Sequence, residues 1–112
     1  MNLKIERLNS IFVKEISIIL QNEIKDPNIN FVTITGCEIT NDLSFAKVYF
    51  TVLDDKNRKE IEKSLDGAKS FIRGQLSQRV EMRHTPELRF IYDSSIEYGN
   101  KIEKIIKEIN DK

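Results

Sequence analysis

Residues 57–83 read NRKEIEKSLDGAKSFIRGQLSQRVEMR, from Asn57 to Arg83, and the rest of the chain is organised around this stretch. Ile61, Leu65, Ala68, Ile72, Leu76 and Val80 recur at spacings of three and four, which keeps one apolar stripe of a helix against a core. Gly67 and Gly74 fall inside that span, with Ser70 between them. An interior glycine costs a helix about 1 kcal/mol relative to alanine, and helix bends commonly have a Gly or Ser cause. The pattern therefore predicts a long helix that is bent or interrupted. From Lys69 on it carries Lys69, Arg73, Arg79 and Arg83 against the single acid Glu81.

A chain of 112 residues, 39% apolar and 32% charged, has the balance of one soluble domain with one core. The whole of residues 1–112 is expected to form that domain. No apolar run approaches the roughly 18 residues of a membrane helix, and the first residues lack the pattern of a signal peptide. Cys37 is the only cysteine, so no internal disulfide is expected, which fits a reducing cytoplasm. Formal net charge is zero, but it is unevenly spread. Residues 57–89 hold eight basic and five acidic side chains, while residues 1–56 hold six and eight. On charge alone two readings stay open: a solvated helix face, or a focused patch able to bind phosphate.

Before this stretch, residues 3–24 have a broad helical stripe (Leu8, Phe12, Ile16, Ile19, Leu20) that Asp26-Pro27 ends. Phe31–Thr40 and Ser44–Leu53 read as strands joined by a turn at Asn41-Asp42. In the first strand the apolar phase moves from Val32 and Ile34 to Cys37 and Ile39, with Gly36 at the change, the pattern of a bulge. In the second, Ala46, Val48, Phe50 and Val52 alternate with Phe45, Lys47, Tyr49 and Thr51. Asn57 with Glu60 forms a capping-box pattern at the start of the long helix. After Thr85-Pro86, Leu88, Phe90 and Tyr92 mark a third short strand. Residues 93–112 then read as a last helix, with Ser94 and Glu97 at its start and Ile102, Ile105, Ile106 and Ile109 on its apolar side.

The order helix, strand, strand, interrupted helix pair, strand, helix predicts an α+β fold. It would have a small three-stranded sheet with helices on one face and the third strand parallel to the second. This is the connectivity of a type II KH domain, an RNA-binding fold, although the Gly-x-x-Gly loop of KH domains is absent. Several segments in order carry a more specific likeness: Lys14-Glu15-Ile16-Ser17, Ile24-Lys25-Asp26-Pro27, Val32-Thr33-Ile34-Thr35, Asp42-Leu43-Ser44, Ala46-Lys47-Val48-Tyr49, Phe71-Ile72-Arg73 and Arg83-His84-Thr85-Pro86-Glu87-Leu88-Arg89-Phe90. With these, nearly the whole chain resembles the bacterial ribosome-binding factor A family. In that family an Ala-x-Gly interruption replaces the KH loop. The corresponding residues here are Ala68-Lys69-Ser70, with Gly67 one position earlier.

The resemblance implies a non-enzymatic factor with no cofactor. It would bind the small (30S) ribosomal subunit and its 16S rRNA, free or as precursors, during late maturation, and assist rRNA processing and growth in the cold. It places RNA contact at Ala68, Lys69 and Ser70, and the basic residues Arg73, Arg79 and Arg83 extend the candidate surface. A cytoplasmic monomer is expected. Tyr49 and Phe45 on the outer hairpin face have two open readings, stacking on bases or cover by a helix. His84 and Cys37 are not read as a catalytic pair, and no metal-ligand spacing stands out. An alternative function is a protein-interaction module docking through the Ile-rich last helix.

Overall fold

Period-two burial defines the central strand. In β2 (Phe45–Val52), Ala46, Val48 and Phe50 are fully buried while Lys47 is exposed. The computed structural model describes residues 3–53 and 55–94, in the order α1 (Leu3–Asn22), β1 (Val32–Ile39), β2, α2 (Arg58–Arg79) and β3 (Glu87–Tyr92). β1 pairs antiparallel with β2, and β2 pairs parallel with β3, giving the sheet order β1-β2-β3. A parallel neighbour requires a crossover, and α2 supplies it. The expected α+β, KH-like arrangement is therefore present.

The bulge lies where the apolar phase changes. Ile34 pairs with Phe50 and Gly36 with Tyr49, which leaves Thr35 as the extra residue. That slip lets Ile34, Cys37 and Ile39 all reach the same buried side. The hairpin turn is held by Asp42, whose carboxylate accepts from the Thr40 and Ser44 hydroxyls (2.8 and 2.7 Å) and from the Ser44 amide (3.1 Å). These bonds pull the Asp42 carboxyl down to about 2. Leu43 completes the turn with a φ of 64°, and its half-buried side chain packs against the core.

Both helices press on one face of the sheet. From α1, Phe12, Ile16, Ile19 and Leu20 are buried, and from α2, Ile61, Leu65, Ile72 and Leu76. They close over Val48, Phe50 and Leu88 as a single core. The Asn9 side chain of α1 accepts a hydrogen bond from the Ile39 amide at 2.9 Å, which ties the helix to the end of β1.

Two local expectations change. The helix pair is one helix: α2 runs unbroken from Arg58 to Arg79, through Gly67, Ser70 and Gly74. Neither glycine has a positive φ. Their combined cost of about 2 kcal/mol is smaller than the gain from burying four large aliphatic side chains, about 1.5–3 kcal/mol each. The capping box does not form either. Asn57 makes no side-chain cap bond and instead ends a 3-10 turn, Asp55–Asn57, that leads into α2. The expected last helix, with its Ile-rich face and the Ser94–Glu97 cap, lies outside the described residues beyond Ser94.

Candidate functional site

Helix phase divides the basic residues of α2 between two sides. Arg79 stands seven residues after Ile72, two turns on and therefore on the same side. It faces the C-terminal half of α1 and the turn after it, where Nη1 lies 3.4 Å from Glu15 Oε2 and Nη2 lies 3.2 Å from Glu23 Oε1. Its charge is neutralised within the protein. Ala68 also turns inward and packs against the core. Lys69 lies on the flank, paired at 2.9 Å with Asp66 one turn earlier.

Ser70, Arg73, Gly74 and Ser77 are spaced i, i+3, i+4, i+7, so they share a different side of the helix. At Val80 the backbone becomes extended (φ −119°, ψ 117°), although its amide still bonds the Leu76 carbonyl at 2.8 Å. The chain then runs back beside α2 before entering β3. Val80, Pro86 and Leu88 are buried and anchor this segment at both ends. Arg73 holds its middle, with Nε and Nη2 donating to the Thr85 carbonyl at 3.1 and 2.8 Å. Charge-assisted bonds of this kind are stronger than neutral ones.

The result is a groove of about 470 Å³ between α2 and the returning segment. Ser70, Arg73, Gly74 and Ser77 form one wall, and Met82, Arg83, His84 and Thr85 the other. Among the described residues no carboxylate lines it. Arg83 and His84 are exposed, and neither makes a hydrogen bond or ion pair with another described residue. The Ser77 hydroxyl donates to the Gly74 carbonyl at 2.7 Å. Of the six residues singled out from sequence, Ser70, Arg73 and Arg83 meet at this groove; Ala68, Lys69 and Arg79 do not line it. Gly74, Ser77, Met82, His84 and Thr85 also line it, and helical spacing from Ser70 points to the first two.

The opposite face of the sheet is covered by neither described helix. Arg89 lies over the Phe45 ring at 4.3 Å, and the Tyr49 hydroxyl donates to Glu38 at 3.2 Å. Both aromatic rings therefore have polar partners within the sheet. Cys37 points into the core, where burial and then the Glu38 charge push its thiol up to about 12. A thiol in that state is not a nucleophile at neutral pH. Among the described residues no cluster of three or more His, Cys, Asp and Glu could hold a metal ion. No described helix is long and apolar enough to cross a membrane.

Residues 4–106 match the family described as Ribosome-binding factor A. A relative from Staphylococcus carnosus carrying that name is 50% identical, covering 98% of this chain and 96% of its own length. The crystal structure of ribosome-binding factor A from Thermus thermophilus superposes with a TM-score of 0.72 at 22% identity, over 79% of this chain and 94% of that one. A homology model of the Thermus thermophilus factor, fitted into a cryo-EM map of a 30S complex, superposes at 0.64 with 21% identity, over 77% and 91% of the two chains.

Proposed function

The chain belongs to the ribosome-binding factor A family, and from that membership we propose that it binds the small (30S) ribosomal subunit through its 16S rRNA. The match along nearly the whole chain carries this reading. The Thermus thermophilus relative fitted into a 30S complex supports the choice of partner. The groove beside α2, lined among the described residues by cations and hydroxyls and no carboxylate, supports RNA as the component touched, because such groups are what position a protein on a phosphate backbone.

In this reading the chain acts as one KH-like domain, a cytoplasmic monomer with no catalytic step. It associates with the subunit late in maturation, assists processing of the 16S rRNA, and sustains assembly in the cold. Ser70, Arg73 and Arg83 form the centre of the contact, with Lys69 at its margin. A sucrose gradient of cell extract tests the function. The tagged protein is expected with free small subunits and their precursors, and to leave them as salt is raised. Migration only at the top of the gradient at low salt would refute it.

A further inference from the structure

Among the described residues, nothing at Gly74 requires glycine. A Cβ built there meets nothing within 4 Å, and its φ is not positive. The helix itself would be steadier with alanine. Gly67 is the same in each of these respects, but only Gly74 lines the groove. It stands in the α2 wall between Ser70 and Ser77, one turn to either side, with Arg73 adjacent and Arg83 and His84 opposite.

We propose that Gly74 is bare so that a phosphodiester of the RNA backbone can sit against α2 in this groove. The inference rests on the small-subunit reading above and adds the seat of the contact. The ligand follows from the lining. Two of the five guanidinium N–H groups of Arg73 serve Thr85, so donors remain for an anion. Arg83 is uncommitted among the described residues, and Ser70 is exposed. The Ser77 proton is already given to the Gly74 carbonyl, which leaves the Ser70 and Thr85 hydroxyls as donors. With no carboxylate in the lining among the described residues, an anion meets cations and hydroxyls, and no acidic wall repels it. A methyl group at position 74 would occupy the space that such a close approach needs.

The test compares Gly74→Ala with Gly67→Ala, using purified small ribosomal subunits as the probe. Both variants are expected to unfold at higher urea than the wild type. Gly74→Ala should bind about tenfold more weakly, equivalent to about 1.4 kcal/mol, and should lose a discrete patch of hydroxyl-radical protection on the rRNA backbone. Gly67→Ala should match the wild type in both. If wild type binds and Gly74→Ala binds equally well, the groove is not the seat, while the small-subunit reading stands. Equal weakening by both variants would assign the effect to helix stiffness and overturn the inference. So would weaker binding with an unchanged rRNA protection pattern. If the wild type itself fails to bind, the functional reading falls, and the inference with it.

Discussion

Arg79 and Arg83 lie four residues apart, and their surroundings are opposite. Arg79 is the last residue of α2, on the Ile72 side, and sits between Glu15 of α1 and Glu23 just after it. Arg83 stands beyond the helix end, on the groove side, where no carboxylate of the described residues lines the space beside it. Basic composition alone would count them equally. Helix phase and the reversal at Val80 separate them: one arginine is paired with carboxylates of the protein, and the other makes no hydrogen bond or ion pair with another described residue. The lesson extends along α2, whose α1 and core side carries the buried aliphatic stripe and whose groove side carries Ser70, Arg73, Gly74 and Ser77.

Truncation on the core side should have the largest effect. Ile72→Ala removes a fully buried side chain from the middle of the stripe, with an expected loss of about 2–5 kcal/mol in urea unfolding. A loss below that range would mean the stripe is not the main support of α2. Arg73→Ala comes next. It leaves the Thr85 carbonyl without its two charge-assisted bonds, for about 1.5–3 kcal/mol. Arg73→Lys should recover only part of this, since an ammonium lacks the planar fork. Complete recovery would show that charge alone is enough. Gly67→Ala has the opposite sign, a gain of about 1 kcal/mol in the same assay, and a loss would reveal a bend that needs glycine. Arg79→Ala is the smallest, under about 1 kcal/mol for partly exposed pairs and less as salt rises. If its cost persisted in high salt, packing of the arginine stem would be the cause.

Much of this fold is legible in the residues. The phase change from Ile34 to Cys37 locates the bulge, and the strand order implies that β3 lies parallel to β2. The expected helix break is absent because glycine propensity says nothing of the burial of Ile61, Leu65, Ile72 and Leu76 that opposes it. The groove is half legible. Charge and position single out Ser70, Arg73 and Arg83, which line it, together with Arg79, which does not. The partners of Arg79 lie 56 and 64 residues away in sequence, where no local pattern reaches. The bond from Arg73 to Thr85 is equally hidden, since its acceptor is a backbone carbonyl that any residue would offer.

Affinity for small ribosomal subunits, measured across a salt series for wild type, Arg83→Ala and Arg79→Ala, tests the division between the two arginines most directly. If Arg83 meets a phosphate, its removal should make the logarithmic salt slope shallower by about one unit, as expected for one lost contact. Arg79→Ala should leave the slope unchanged. The contrary result is an unchanged slope in Arg83→Ala together with a shallower one in Arg79→Ala, which would put the RNA contact on the α1 side of the helix.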